Sequence, residues 1–304
     1  MTVLVTGVGG QLGFDVVNEL VRRGCETVGS DVRGEDELVR RAAWDRYVEL
    51  DVTDPGAVDR TLSAIRPDAI VHCAAWTDVD RAEDESNREQ VRKINVDATG
   101  FLTEKAKNLG CKFVYISTDY VFSGEGTTPW KPDETDFRPL NYYAETKLEG
   151  ERIVSSRLEK FFVVRIAWAF GLNGKNFIRT MLNLAKTRDT VRVVADQVGT
   201  PTYTADLSVL LCDMLETDRY GFYHATNEGG FISWYDLACE VFRQAGIDMN
   251  VIPVTTAEYG MNVARRPFNS RLDKSKLKEK GFAPLPDWKN AVTRYLKEIG
   301  ALKV

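Results

Sequence analysis

Thr2-Val3-Leu4-Val5-Thr6-Gly7-Val8-Gly9-Gly10-Gln11-Leu12-Gly13 is the stretch whose reading decides the fold. Val3 to Thr6 is a short apolar strand. From Gln11 to Arg23, the residues Leu12, Val16, Val17, Leu20 and Val21 recur at helical spacing, and Gly24 stops the run. Between strand and helix, Gly7-x-x-Gly10-x-x-Gly13 departs by one residue from the usual dinucleotide fingerprint. Its glycines keep the same duties: a tight turn, close backbone approach to a pyrophosphate, and close packing of helix on strand. The helix then offers its unpaired N-terminal amides, starting at Gln11 and Leu12, to phosphate oxygens. A glycine string alone is weak evidence; a strand before it and a helix after it give it weight.

The alternation continues outward from that unit. Glu26 to Ser30 reads as a second strand with Asp31 at its end, and Asp54-Pro55 opens a helix with aspartate as cap and proline at the first position. Ala69-Ile70-Val71-His72-Cys73 is the next strand, Glu85 to Leu109 a long helical run closing at Gly110, and Lys112 to Ile116 a strand leading into Ser117-Thr118-Asp119. Four strands and three crossovers before residue 120 predict an α/β fold, a doubly wound, Rossmann-like parallel sheet. Residues 123–141, rich in proline and glycine, read as a surface loop, Tyr142 to Arg157 as helix, and Phe161 to Ile166 as a strand buried on both faces. Beyond Trp168 the pattern thins into short helices (Phe177 to Thr187, Trp234 to Ala245, Trp288 to Ile299) and brief strands such as Val191 to Val194. The expected division is a dinucleotide-binding domain over 1–167 that carries Tyr143 and Lys147. A smaller, substrate-binding lobe over 168–304 is interleaved with it.

Composition narrows the classes of function. Forty basic against forty-five acidic residues give a formal charge of −5, which argues against nucleic acid or an anionic membrane as partner. No apolar run approaches the roughly 18 to 20 residues of a membrane span, and Met1 leads directly into the first strand, so a soluble, cytoplasmic protein is expected. Cys25, Cys73, Cys111, Cys212 and Cys239 form no C-x-x-C pair and read as free core thiols. His72 and His224 are the only histidines, each in an apolar context, so neither a Ser-His-Asp triad nor a metal site is expected.

Asp31 stands where a carboxylate accepts hydrogen bonds from an adenosine ribose, and it repels a 2′-phosphate; Arg33, two residues on, could offset that repulsion, so NAD is favoured and NADP remains open. Asp51-Val52 is placed to flank the adenine, and Cys73-Ala74-Ala75 supplies small residues where backbone passes near the cofactor. Tyr143-x-x-x-Lys147 puts a phenol and an ammonium on one helix face, where the cation lowers the phenol's proton affinity. That is the apparatus of a ketone reductase.

With Thr6 to Gly13, Asp51, Ala74-Ala75, Asn95, Ser117-Thr118-Asp119 and Tyr143-x-x-x-Lys147 in this order, the chain resembles the extended short-chain dehydrogenase/reductases nearly end to end. Within them it is most similar to the dTDP-4-dehydrorhamnose reductases. Ala74-Ala75-Trp76-Thr77-Asp78-Val79-Asp80-Arg81-Ala82-Glu83, Ser117 to Phe122, Asn176-Phe177 with Thr180-Met181, Asp196 to Thr202, and Arg266-Pro267 with Ser270-Arg271-Leu272 all match that family's motifs. Trp76 departs from the His or Tyr associated with its slot. The resemblance implies reduction of the 4-keto group of a nucleotide-linked deoxysugar by reduced NAD or NADP. It makes Tyr143 the proton donor, Lys147 the holder of the nicotinamide ribose, and Thr118 a hydrogen-bond donor to the carbonyl oxygen. Asn95 joins the cofactor set, and Thr77, Val79, Asp119, Trp168 and Arg266 form the substrate set, Arg266 as a diphosphate clamp. Some members dimerise about an acidic, magnesium-linked contact at the position of Asp15, so a homodimer is an expectation too. Two other readings keep the fold: a reductase of a different 4-keto nucleotide sugar, and a non-catalytic dinucleotide-binding partner similar to the regulatory β subunit of methionine adenosyltransferase.

Overall fold

The structure, a computed structural model, describes residues 1–261 and 263–303. Seven parallel strands form one sheet: β1 (Thr2–Thr6), β2 (Glu26–Asp31), β3 (Arg46–Glu49), β4 (Ala69–His72), β5 (Lys112–Thr118), β6 (Phe161–Ile166) and a last strand at Gly221–His224. From edge to edge the order is Gly221–His224, β6, β5, β4, β1, β2, β3. Strand order therefore reverses at β1. In register, Thr6 faces Ser30 of β2 on one side and His72 of β4 on the other, so a crevice opens outside three level carboxyl ends, the place where doubly wound sheets bind ligands.

Alternate residues of each strand feed opposite layers. Val3, Val5, Val71, Val114 and Val164 pack against α1 (Gln11–Arg22) and the helix Thr204–Leu215. Leu4, Ile70, Phe113, Tyr115 and Val163 face α2 (Pro55–Ile65), the helix Ala98–Leu109 and the helix Tyr142–Arg157. A smaller body lies beyond, where Thr190–Val194 pairs in parallel with Asn250–Val254 and the helices Phe177–Leu184, Trp234–Ala245 and Trp288–Glu298 close over Phe170, Tyr203 and Tyr295.

Three local expectations are corrected. Five strands, not four, precede residue 120: β3 is an edge strand whose Arg46 and Glu49 are exposed, so the apolar stretch before Asp51 is only Tyr47 and Val48 within the strand and Leu50 after it. The run from Glu85 to Leu109 is not one regular helix, since a π-helical segment at Lys93–Asp97 separates Glu85–Arg92 from Ala98–Leu109. Residues 123–141 are tied down as well as looped. Trp130 stacks on Phe122 at 4.9 Å and bridges to Leu272, and Phe137 pairs with Phe122.

Candidate active site

The glycine turn is built as the sequence requires. Gly7 has φ +69°, and a Cβ there would meet the Ala74 backbone, while one on Gly13 would run into the Gly7 carbonyl. Gly10 N donates to Gly7 O at 3.0 Å and Val8 N to Ser30 O at 3.1 Å, which ties the turn to β2. A pocket of about 350 Å³ starts at Gly7 and Gly10 and is lined by Asp31, Arg33, Asp51, Val52, Ala74 and Ala75. Asp31 accepts from Gly9 N at 3.0 Å and from Arg33 Nε at 3.0 Å, so the carboxylate and the guanidinium enter the pocket as a pair.

A larger cavity, about 730 Å³, opens from the same turn. Gly7, Gly10, Gln11, Leu12 and Gly13 line one side, and Thr77, Val79, Thr118, Asp119, Tyr143, Lys147 and Trp168 the other. Tyr143 and Lys147 ride on the helix Tyr142–Arg157, whose first turn is fixed from outside. The Asn141 side chain caps it by accepting from Ala144 N at 2.9 Å, and Glu83 accepts from Tyr142 N at 2.7 Å. Thr118 ends β5, and its hydroxyl donates to Asp119 Oδ1 at 3.0 Å.

Electrostatics at this centre differ from the expectation in one respect. Burial, reinforced by the Asp119 carboxylate and opposed by the Thr118 hydroxyl, pushes the Tyr143 phenol well above its ordinary range, where the sequence predicts a proton affinity lowered by a cation. Lys147 Nζ instead lies 4.1 Å from the Tyr115 ring centroid, a cation–π contact inside the wall. Burial lowers its ammonium to about 7, against the attraction of Glu151. Asp119 is pushed up to about 7, again chiefly by burial.

Other expected residues fall in different places. Asn95 lines neither cavity: it sits on the π-helical segment behind the wall, accepting from Trp76 N at 2.8 Å and donating to Thr146 Oγ1 at 3.0 Å, so it fixes the Trp76 loop to the Tyr143 helix. Arg266 lines a separate 180 Å³ pocket with Phe177, Gln197 and Trp234, and its guanidinium is engaged by Asp80. Asp15 is buried between helices, accepting from Thr204 Oγ1 at 2.5 Å, and so presents no carboxylate for a metal-linked contact between copies. His72 is core, its Nδ1 2.8 Å from Thr6 Oγ1, and burial lowers it to about 3. Among the described residues no three His, Cys, Asp or Glu side chains gather as metal ligands, and no helix is long and apolar enough to cross a membrane.

Trp234 is the addition that sequence reading missed. It stacks on Trp168 with centroids 3.9 Å apart and planes at 20°, and both indoles line the large cavity. Trp168 holds φ +52°, a left-handed backbone that costs a non-glycine residue about 1–2 kcal/mol. Thr202 fixes it there, with Oγ1 donating to Ala167 O at 2.6 Å and its amide to Trp168 O at 3.3 Å. No local pattern marks Trp234, because its partner lies 66 positions earlier. Strain of this kind, kept at the mouth of a cavity, points to ligand contact.

A parallel sheet with a glycine turn at its switch point, opening onto a cavity that also holds Tyr143, Lys147 and Thr118, defines a dinucleotide-dependent oxidoreductase of the short-chain dehydrogenase/reductase kind. Residues 1–301 match the RmlD substrate binding domain family. The chain is 36% identical to the dTDP-4-dehydrorhamnose reductase of Aggregatibacter actinomycetemcomitans over 95% of this chain and 96% of that one. It is 34% identical to the spore coat polysaccharide biosynthesis protein SpsK of Bacillus subtilis, over 97% of each. Among solved structures, dTDP-4-dehydrorhamnose reductase from Bacillus anthracis in complex with NADP superposes with a TM-score of 0.88 at 36% identity, covering 98% of this chain and 99% of that one. This chain belongs to the dTDP-4-dehydrorhamnose reductase family.

Proposed function

We propose that this chain reduces the 4-keto group of a dTDP-linked 6-deoxyhexose, dTDP-4-dehydro-L-rhamnose giving dTDP-L-rhamnose, with NADPH or NADH as reductant. The observation that carries the reading is the shared cavity: the pyrophosphate cradle at Gly7, Gly10 and Gly13 and the side chains of Tyr143, Lys147 and Thr118 face one space. Gly7 and Gly13, where a Cβ would strike backbone, keep the turn tight and the helix close to the strand, the frame in which the backbone at Gly10 can approach a pyrophosphate. When bound, the reduced nicotinamide supplies the hydride.

The chain's own groups supply the rest. Tyr143 donates its phenolic proton to the oxygen that becomes the alcohol, and its raised proton affinity keeps that proton in place until charge develops there. Thr118 offers a hydrogen bond to the same oxygen. Lys147 holds the nicotinamide ribose. Asp31 with Arg33, Asp51, Val52, Ala74 and Ala75 hold the adenosine end. Thr77, Val79, Asp119 and the Trp168–Trp234 stack surround the sugar, and Arg266 awaits the diphosphate. In this reading residues 1–167 bind cofactor and residues 168–304 mainly bind substrate, while the strand Gly221–His224 returns to the first sheet. A cytoplasmic location fits five cysteines that all remain free thiols; a homodimer rests on family resemblance alone.

The test is direct: purified protein, NADPH or NADH, and dTDP-4-dehydro-L-rhamnose should consume reduced nicotinamide and give a product whose NMR couplings are those of the L-rhamnosyl nucleotide. Cofactor binding with no turnover on any 4-keto nucleotide sugar would overturn the reading.

A further inference from the structure

Beneath the reacting helix lies an ion pair that the proposed chemistry does not use. Glu151 and Arg165 are 2% and 1% exposed, and they meet in a two-pronged contact, Nε to Oε1 at 2.8 Å and Nη2 to Oε2 at 2.7 Å. Arg165 belongs to β6 and points to the same side as Val163, toward the helix Tyr142–Arg157 that carries Glu151. Its surroundings close it off completely. Nη1 donates to Pro132 O at 3.0 Å, and the guanidinium lies 5.1 Å from the Phe122 ring, 5.0 Å from Phe137 and 5.1 Å from Phe222.

A pair this deep contributes little net stability. Desolvating two charges offsets most of their attraction, and apolar residues of similar volume often do as well. Its position suggests a different role. Glu151 is one helical turn after Lys147, and both side chains face the sheet from one stripe of the helix. The titratable groups around Lys147 are Tyr115 on β5, His72 and Cys73 at the end of β4, and Glu151 on its own helix, with Tyr143 one turn earlier on the wall of the same cavity. Burial keeps three of them neutral at physiological pH: His72 falls to about 3, the Cys73 thiol rises to about 12, and Tyr115 rises far above its ordinary value. Tyr143 is likewise protonated. Glu151 is therefore the one negative charge that this set turns toward Lys147, and Arg165 anchors it there.

We propose that the Glu151–Arg165 pair is a positioning element of the reacting centre: Arg165 pins Glu151 one turn below Lys147, and Glu151 keeps the Lys147 ammonium charged inside a wall that otherwise disfavours charge. The backbone supports the same placement. Tyr115 Oη donates to Lys147 O at 3.3 Å, and Gly150 leaves the gap that the Tyr115 hydroxyl occupies, because a Cβ at residue 150 would overlap it. Helix, ring and ammonium are thus packed as one unit on the anchored carboxylate.

This role rests on the reductase reading for its purpose, and its test is read from binding, not turnover. The probe is NADH, which lacks a titrating 2′-phosphate, and the measurement is its affinity across pH. Wild-type affinity falls on the alkaline side as Lys147 loses its proton. Glu151→Gln alone strands the Arg165 charge and is expected to unfold. The double variant Glu151→Gln/Arg165→Met replaces the pair by uncharged groups of similar volume, and its alkaline limb should move to lower pH by about half a pH unit, because the opposite charge on the turn next to Lys147 outweighs the like charge of Arg165 that is removed with it. Glu151→Asp, which draws the carboxylate back by one methylene, should give an intermediate limb. Folded variants whose limb coincides with that of the wild type, whatever their melting temperature, would overturn the proposal and leave the pair purely structural. An enzyme that binds NADH with this pH behaviour yet reduces no keto sugar would defeat the reductase reading and leave the positioning role standing.

Discussion

Arg266 and Asp80 form a two-pronged ion pair, Nη2 to Oδ2 at 2.6 Å and Nη1 to Oδ1 at 3.1 Å, and Arg266 shares a small pocket with Trp234, which also lines the large cavity. Asp80 Oδ1 also accepts from the amides of Val263 and Ala264 at 3.2 and 2.9 Å, so the same carboxylate shapes the segment from which Arg266 projects. The arginine expected to clamp a diphosphate is held ready by an internal acid. If Arg266 clamps the diphosphate as proposed, substrate oxygens must share or displace that acid. Arg266→Ala is expected to raise KM for the nucleotide sugar about ten- to hundredfold, the range of one or two charge-assisted hydrogen bonds, with the NADPH KM unchanged. Asp80→Asn, which keeps an acceptor for the two amides, should not raise KM. Steady-state kinetics checks both, and an unaltered sugar KM in Arg266→Ala would confine that residue to shaping the segment.

Arg33 lies against Asp31 and over the glycine turn, where a side chain on Gly9 would collide with its guanidinium. It is the group able to offset the repulsion between Asp31 and a 2′-phosphate. Arg33→Ala should weaken NADPH about tenfold while sparing NADH, one charged contact at a partly exposed site being worth about 1 kcal/mol or somewhat more. Equal losses for the two cofactors would remove Arg33 from that role.

Burial, only partly offset by the Thr204 hydroxyl, raises Asp15 to about 7, with Glu298 and Asp206 adding repulsion. Its folded pKa lies above the unfolded value near 3.8, so the folded state holds the proton more tightly. The stability this provides is present below about pH 4 and is lost as pH rises to about 7. Asp15→Asn keeps an acceptor for Thr204 and removes the titration. Its melting temperature should match that of the wild type at about pH 4 and exceed it at about pH 8. The difference should correspond to a few kcal/mol, because each tenfold gain in proton affinity is worth about 1.4 kcal/mol. Parallel melting curves across that range would contradict the assignment.

The parts of the molecule legible in sequence are those whose signal is local. Gly7, Gly10 and Gly13 announce a turn because Gly7 holds φ +69° and the other two crowd the Gly7 carbonyl a few residues away, and Tyr143 and Lys147 share a helix face by spacing alone. The apolar runs of β1, β4, β5 and β6 mark buried strands. What escaped was fixed at long range. β3 is an edge strand in which exposed Arg46 and Glu49 bracket only Tyr47 and Val48, an apolar stretch too short to declare a strand. Trp234 reaches the cavity only because it stacks on Trp168. The Arg266–Asp80 pair joins side chains 186 positions apart. Helical spacing makes Lys147 a neighbour of Tyr143, but the contact of its ammonium with the Tyr115 ring on another element is one that periodicity cannot reveal.

In the proposed reaction Tyr143 delivers the proton to the carbonyl oxygen, and Tyr143→Phe tests that role most directly. The substitution removes one oxygen from a half-buried ring that packs edge-on to Tyr120, with centroids 6.3 Å apart, so the fold and the cofactor cradle should survive. Turnover of dTDP-4-dehydro-L-rhamnose is expected to fall by about 10²- to 10⁴-fold, the usual range for a positioned acid, with NADPH affinity within a few-fold of the wild type. A Tyr143→Phe protein that reduces the sugar at the wild-type rate would contradict the claim.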